Sequence, residues 1–317
     1  MDALFDMLRA MRLSGGVFLD AEFTAPWCVA AKVGPEDCAP FIPVPSNIIA
    51  YHYVSEGRLL LQVEGEPPIP VESGEIVVLP RNDAHLLGSA LNVRPVSADH
   101  LIQPAVDGGL ARIVYGGGGA CTRIVCGFLG GNTPNDPLIG ILPSMLKIDV
   151  AGGASGEWIE STFRFAAKQF AAGKAQSPAV LAKLGEVLFI EAVRHYLASL
   201  PPDQSDWIAG LRDPIVGRAL ALLYAQQDRR WTANELARAA GLSRSAFAER
   251  FTDVMGEPPM RYLAKWRLQR AAQDLAGTHE PVARIALACG YDSEAAFNRA
   301  FKRAFGLPPA TWRKGRR

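Results

Sequence analysis

The C-terminal third of the chain carries one sequence pattern twice, about fifty residues apart. An offset of fifty matches serine, aromatic and glycine positions: Ser243 with Ser293, Phe247 with Phe297, Phe251 with Phe301 and Gly256 with Gly306. Upstream of Ser243 the offset becomes 49, so the second copy has one extra residue in its turn. Matches at so many core and turn positions indicate a duplicated structural unit.

Each copy has the pattern of a helix-turn-helix. In the first copy, Thr232 and Glu235 have capping-box spacing, which starts a short helix that Gly241 ends. Ser243 is suited to cap the second helix. The second copy repeats this order, with Pro281 at the first helical position and Asp292 or Ser293 as the later cap. The sequence therefore predicts two helix-turn-helix units joined by a long amphipathic helix.

Charge is distributed unevenly along the chain. The whole sequence has a formal net charge of +1. Residues 214–317 contain 18 basic and 9 acidic side chains, a net charge of +9, whereas residues 1–213 contain 15 and 23, a net charge of −8. This asymmetry favours a polyanionic partner for the C-terminal part.

The second copy resembles the C-terminal signature of the AraC/XylS family of bacterial transcription regulators. The segment GYDSEAAFNRAFKRAFGLPPATWR matches the family pattern at Gly290, Tyr291, Ser293, Phe297, Arg299, Phe301, Lys302, Gly306, Pro308, Trp312 and Arg313. Trp312 stands where the family usually has tyrosine. The resemblance covers about residues 214–314 and implies binding to double-stranded DNA.

The resemblance implies that the two recognition helices enter successive major grooves, about 34 Å apart. Outward residues near the helix starts are the candidates for base reading: Arg244, Ser245, Ala248 and Glu249, then Glu294, Ala295, Asn298 and Arg299. Arginine favours guanine, asparagine favours adenine, and glutamate accepts from cytosine. The candidate phosphate contacts are Arg267, Arg270, Lys302 and Arg303. For Glu249 and Glu294, a surface role or an intrahelical ion pair is an equally good interpretation.

Residues 48–128 have the alternation and the turn residues of a β domain. The pattern G-x5-P-x-N-x2-H, which ends at His85, resembles the second cupin motif, with Asn82 where the motif has glycine. His52 stands at the position of the first motif's histidine pair, whose other member is missing. The resemblance implies a cupin-like β-barrel, a familiar partner of this DNA-binding unit.

The usual cupin cage of three histidines and one glutamate is incomplete here. His52 and His85 could recruit Cys126 from a later strand as a third metal ligand. A single histidine in a β interior is more often a core residue. We therefore expect no cofactor and no enzymatic activity, with a metal at these three residues as the alternative.

The five cysteines are odd in number and lack a CxxC pair, which favours a reducing compartment. Some cupin-type regulators of the AraC/XylS family respond to oxidants through cysteines. The resemblance therefore implies redox sensing by a thiol of the N-terminal part, among Cys28, Cys38, Cys121 and Cys126.

Together these observations predict an α+β chain of two domains. Residues 1–200 form a cupin-like sensor and dimerisation domain, residues 201–213 a linker, and residues 214–317 an all-α double helix-turn-helix. The predicted function is a sequence-specific transcription regulator controlled by a sensed signal. The alternatives are a metal-dependent cupin enzyme fused to a DNA-binding module and a nonspecific architectural DNA-binding protein.

The predicted partners are promoter DNA, a second copy of the chain, a small-molecule or redox effector, and RNA polymerase. We expect no membrane association, because no uncharged apolar run approaches twenty residues. The start of the chain lacks the layout of a secretory signal, which favours the cytoplasm.

Overall fold

The computed structural model describes residues 7–8, 11, 13–39, 42–104, 110–131, 137–149, 161, 178–200, 207–226, 229 and 231–314. Contacts divide the chain into two compact units. The β unit is Leu13–Ala198, and the helical unit is Ser199–Arg317 together with Met1–Arg12. No helix among the described residues is long and apolar enough to cross a membrane.

The β unit contains eleven described strands in two sheets. They are β1 (Ser14–Thr24), β2 (Cys28–Ala31), β3 (Asn47–Glu56), β4 (Arg58–Val63), β5 (Ile69–Glu72), β6 (Glu75–Leu79), β7 (His85–Gly88), β8 (Val96–Ser97), β9 (Ala111–Gly116), β10 (Cys121–Gly131) and β11 (Leu146–Asp149). The order is β11-β6-β3-β10-β1-β9 in one sheet and β5-β4-β7-β2-β8 in the other. Helices α1 (Pro35–Cys38), α2 (Pro137–Ile141) and α3 (Pro178–Ser199) complete the unit.

The core of the β unit lies between the two sheets. Val54 and Ile124 from one sheet and Leu61 from the other are fully buried in a single apolar cluster. The predicted cupin-like β domain is confirmed, but the predicted barrel is open, since no ladder joins the two sheets among the described strands. The edge strand β8 has two residues and offers too few backbone groups to continue a ladder.

The helical unit consists of α4 (Trp207–Arg212), α5 (Pro214–Ala225), α6 (Ala233–Ala239), α7 (Arg244–Met255), α8 (Pro259–Gly277), α9 (Val282–Ala288), α10 (Glu294–Phe305) and α11 (Pro309–Lys314). Helix α4 lies inside the predicted linker. It packs tightly, because a Cβ on Gly210 would lie 2.5 Å from the sulfur of Met255. The apolar side chains of this short segment, such as buried Leu211, make it part of the helical unit.

The long helix α8 packs against both helix-turn-helix units, as its amphipathic pattern predicts. Near its start, the Tyr262 ring meets the Phe251 ring edge-on at 5.7 Å. Near its end, Trp312 donates a hydrogen bond from Nε1 to the Ala272 carbonyl, 3.1 Å away. Arg313, a residue of the family signature, likewise donates to backbone carbonyls and holds α11 in place.

Candidate nucleic-acid interface and sensor core

The first helix-turn-helix consists of α6 and α7, and its capping residues act as predicted. The hydroxyl of Thr232 accepts from the Glu235 amide, and the Glu235 carboxylate accepts from the Thr232 amide. Hydrogen bonds from Thr232 and Arg229 lower the pKa of Glu235 to about 2. Gly241 turns the chain with a φ of +78°, and Ser243 caps α7.

The second helix-turn-helix consists of α9 and α10 and has the same construction. Pro281, predicted as the first helical residue, is the N-cap of α9, so the helix begins one residue later than predicted, at Val282. Gly290 makes the turn with a φ of +80°, and Ser293, one of the two predicted caps, accepts from an amide of α10. The phenylalanines at 297 and 301 are fully buried, as are their counterparts at 247 and 251. The duplicated pattern therefore folds into two equivalent frames.

The outward faces of α7 and α10 carry the predicted base-reading residues. Exposed side chains are Arg244, Ser245 and Glu249 on α7, and Glu294, Ala295, Arg299, Lys302 and Arg303 on α10, while Ala248 and Asn298 are half-buried. Within the part of the chain that the structure describes, Arg244, Arg299, Lys302 and Arg303 form no ion pair or side-chain hydrogen bond. These charges are available to an external partner, and their contact with DNA stays a prediction.

The two glutamates of these faces are not in ion pairs within the described ranges. The alternative interpretation of an intrahelical ion pair is therefore not what the structure contains. Glu294 is the first residue of α10, where a carboxylate stabilises the positive end of the helix dipole. Glu249 lies in the middle of α7, where the dipole gives it no such role.

The two remaining predicted phosphate contacts, Arg267 and Arg270, lie on α8 and have partners inside the protein. Arg267 donates from Nη2 to the Arg229 carbonyl at 2.7 Å. The Nε of Arg270 lies 3.9 Å from a carboxylate oxygen of Asp274, one turn later. Their role as phosphate contacts stays a prediction. Both side chains already have partners within the protein, whereas Lys302 has none in the described part of the chain.

Sequence reasoning missed an ion pair that supports α7. Asp213 caps α5 by accepting from the amides of Ile215 and Val216, and it also binds Arg250 at 2.6 and 2.9 Å. Burial alone would raise the pKa of Asp213, but these hydrogen bonds outweigh it and lower the pKa. The Asp-Pro pair at a helix start was the available signal for the cap.

The predicted metal ligands meet in the core of the β unit as a chain of hydrogen bonds. His52 Nδ1 lies 3.0 Å from Cys126 Sγ, and His52 Nε2 lies 2.8 Å from His85 Nε2. His85 Nδ1 lies 2.9 Å from the Asp83 carbonyl, which can only accept. All three hydrogen bonds therefore point in the same direction. Cys126 donates to His52, His52 donates to His85, and His85 donates to the Asp83 carbonyl.

Burial keeps this chain uncharged. It lowers the pKa of His52, with a further contribution from His85, and it lowers the pKa of His85. The thiol of Cys126 and the imidazole of His85 lie on opposite edges of the His52 ring, so the three donors do not converge on one point. Among the described residues, no group of three or more His, Cys, Asp or Glu is arranged to hold a metal ion.

Asn82, which replaces the cupin glycine, has a structural task that the motif did not reveal. It adopts a φ of +52° and is buried. Its side-chain oxygen accepts from the Val33 amide, and its side-chain nitrogen donates to the Val33 carbonyl. Asn82 thus supplies both the turn and a two-point bond to the segment after β2.

The cysteines proposed as redox sensors differ in their surroundings. Cys28, Cys38 and Cys126 are buried, and burial raises the pKa of each thiol, to about 11 for Cys38. Cys121 is partly exposed, and its side chain hydrogen-bonds with Arg123, which raises the pKa of that arginine. Because oxidants react with accessible thiolates, Cys121 is the best placed of the four.

Two cavities meet at His85. An inner cavity of about 40 Å³ lies beside His52 and Cys126, and its other walls are mostly apolar. An outer cleft of about 550 Å³ lies over β2, β4 and β7, and its lining combines alanines and Leu86 with polar side chains that include Lys32 and Glu64. The inner cavity has room for water only, whereas the cleft is large enough for a small molecule.

Comparison with known proteins assigns the two units separately. A family model described as a cupin matches residues 2–198, and one described as a helix-turn-helix domain matches residues 236–315. A putative AraC-like transcription regulator of Streptomyces antibioticus is 33% identical over 84% of this chain and 88% of its own length. The chain belongs to the AraC-like transcription regulators.

Two further relatives match most of the chain. The HTH-type transcriptional regulator AlkR of Acinetobacter baylyi is 27% identical over 99% of both chains. The RCS-specific HTH-type transcriptional activator RclR of Escherichia coli is 27% identical over 84% of this chain and 85% of its own length. This membership confirms the predicted transcription regulator, with a cupin-type sensing unit ahead of a DNA-binding helix-turn-helix unit.

Proposed function

We propose that this AraC-like regulator reads promoter DNA with α7 and α10, and that a signal received by the β unit controls the binding. The proposal is carried by two equivalent helix-turn-helix frames with outward arginines that have no partner in the described part of the chain. Regulation would be its whole activity, with no catalysed reaction, and the cytoplasm its location. Promoter-bound protein would meet RNA polymerase.

Control by a signal requires two arrangements of the protein with different affinities for DNA. A ligand shifts the balance only by its own difference in affinity for those arrangements. The outer cleft supports a small-molecule effector, because the ammonium of Lys32 and the carboxylate of Glu64 line it without an ion pair in the described ranges. Such a site suits a polar molecule that carries both charges.

Dimerisation is proposed because a second copy would double the number of half-sites. Apolar residues at helical spacing form a stripe on α3 that could serve as the interface, but Leu188 and Ala192 of that stripe are already buried within the chain. The structure does not describe the side chains of Leu181 and Leu184, the other leucines of the stripe. Sedimentation of the full chain with and without promoter DNA tests the proposal, which a monomer on DNA would contradict.

Oxidation is a second candidate signal, and it rests on the partly exposed Cys121. We expect Cys121→Ser to abolish any change in promoter binding that peroxide causes in the wild type. Cys38→Ser is the matched control, because Cys38 is fully buried with a raised pKa. A wild type whose binding peroxide leaves unchanged, or a response that survives Cys121→Ser, would refute the hypothesis.

Mapping the promoters bound by the protein in cells tests the main proposal. We expect discrete peaks that disappear in the double variant Arg244→Ala, Arg299→Ala and persist in Arg284→Ala. Arg284 is an exposed arginine of α9 that forms an ion pair with Glu280. Peaks that survive the double variant would remove α7 and α10 from the interface, and the regulated genes would identify the class of signal.

A further inference from the structure

Arg267 lies in the middle of α8 and contacts both helix-turn-helix units. Toward the first unit, its Nη2 donates to the Arg229 carbonyl at 2.7 Å. Toward the second unit, its Nη1 lies 3.2 Å from the position that a Cβ on Gly290 would occupy. One guanidinium group therefore donates to the segment before α6 and lies beside the turn before α10.

The contact with the first unit is firmly anchored. The Arg229 side chain donates to Glu235, in the first turn of α6, at 3.0 Å. The same side chain lies 3.9 Å from the centre of the Trp231 ring, and Trp231 is buried. The carbonyl that receives Arg267 thus belongs to a segment held on α6, so a shift of α6 would break the hydrogen bond.

On the side of the second unit, Arg267 lies beside the turn that leads into the recognition helix α10. Gly290 has a φ of +80° and turns the chain from α9 toward α10. The next residue, Tyr291, packs edge-on against Phe297 of α10 at 5.4 Å. Burial raises the pKa of Tyr291, and the positive charge of Arg267 partly opposes this effect. The guanidinium therefore lies against a turn that is packed on α10.

The repeat offers a comparison that sets Arg267 apart. In α5, the helix that precedes the first unit, Arg218 is exposed and has no partner in the described part of the chain. The turn equivalent to Gly290 is at Gly241, where an added Cβ would meet nothing within 4 Å. The bridge is therefore absent from the first copy and is not a general feature of the repeat.

We propose that Arg267 is a positioning residue that fixes the separation and rotation between α7 and α10, and so restricts the protein to one spacing of two DNA half-sites. The planar guanidinium suits this task, because its rigid fork can contact two elements at once. Half-site spacing follows from the distance between recognition helices, about 10–10.5 base pairs for successive grooves. This inference rests on the proposed reading of DNA by both helices.

The test selects DNA with the full-length protein from a randomised duplex library of about 40 base pairs, which spans two half-sites at any nearby spacing. The proteins are the wild type, Arg267→Gln, the charge-conserving Arg267→Lys, and the matched control Arg218→Gln. Affinity is then measured over a salt series for the selected duplex and for the same duplex with two base pairs inserted between half-sites.

For the wild type and Arg218→Gln, we expect one spacing, and a loss of roughly tenfold or more when the insertion misplaces one helix. For both Arg267 variants, we expect the same half-site sequences at several spacings and a loss below about threefold. The salt dependence should stay that of the wild type. Thermal unfolding checks the fold, and Arg267→Lys carries the test if Arg267→Gln does not fold.

Three outcomes would overturn the proposal. Arg267 variants that keep one sharp spacing would show that α8 sets the geometry alone. Uniformly weaker binding with a salt slope lower by about one would make Arg267 a phosphate contact instead. A wild type that selects a single half-site would mean that only one helix reads DNA. A separate result, a wild type that selects no sequence at all, would contradict the proposed function itself.

Discussion

The two helix-turn-helix units share a frame but present opposite charges. Both have a serine cap, two buried phenylalanines and a left-handed glycine at the end of the recognition helix. In the repeat, α10 has Arg299, Lys302 and Arg303 at the positions where α7 has Glu249, Thr252 and Asp253. The reverse holds at the helix starts, where α7 has Arg244 and α10 has Glu294 at the equivalent position. The frame is set by the repeat, whereas the outward face is specific to each copy. We infer that α10 contributes most of the electrostatic attraction to DNA.

The largest expected effect tests whether the frames are equivalent. Phe247→Ala and Phe297→Ala each remove a fully buried ring, so each should lower the free energy of unfolding of the helical unit by about 3–5 kcal/mol. Urea unfolding followed by circular dichroism measures this. Leu307→Ala, at an exposed leucine, is the control and should change stability by less than about 0.5 kcal/mol. Unequal losses for the two phenylalanines would contradict equivalence.

The next effect concerns a support that the first unit has and the second lacks. Asp213→Ala removes the cap of α5 and the ion-pair partner of Arg250. In the second unit the position equivalent to Arg250 is Ala300, which cannot form an ion pair. We expect a loss of about 2–3 kcal/mol in the free energy of unfolding, since a buried cap and a charged pair disappear together.

Because folding lowers the pKa of Asp213, its contribution is present above the pKa of the unfolded chain, about 4. It is lost as the pH falls through the lower folded pKa. Urea unfolding at pH 7 and pH 3 should therefore show a smaller difference between variant and wild type at pH 3. A difference that does not shrink would refute the assignment.

Arg299→Ala tests base reading by α10 and should weaken binding to the cognate site by about 1–3 kcal/mol. Binding to random DNA should change much less, so the specificity ratio falls. Electrophoretic mobility shifts on both duplexes measure the two affinities. An equal loss on both would make Arg299 a phosphate contact.

The smallest expected effects test the difference in charge between the outward faces of α7 and α10. Arg303→Gln should weaken binding to every sequence and lower the salt slope by about one, as expected for one lost phosphate contact. Asp253→Asn, at the equivalent position of α7, should strengthen binding slightly, because a negative charge is removed. Fluorescence anisotropy over a salt series measures both, and a change of the same sign in both variants would contradict the account.

Local patterns allowed the helical frame to be predicted, since Thr232, Gly241 and Ser243 act within a few residues of themselves. The positions of His52, His85 and Cys126 in one core were also foreseeable from strand alternation. Their one-way hydrogen-bond chain was not, because it depends on ring orientation between sheets. The bridge of Arg267 was missed because it joins segments that are distant in sequence, whereas charge alone favoured a phosphate contact.

Salt-titrated binding of the full chain to its own promoter and to random DNA tests the central claim most directly. A regulator that reads bases should bind its promoter about a thousandfold or more tightly than random DNA, and the ratio should persist as salt rises. A ratio near one, with both affinities collapsing together in salt, would contradict sequence-specific regulation and identify a nonspecific DNA-binding protein.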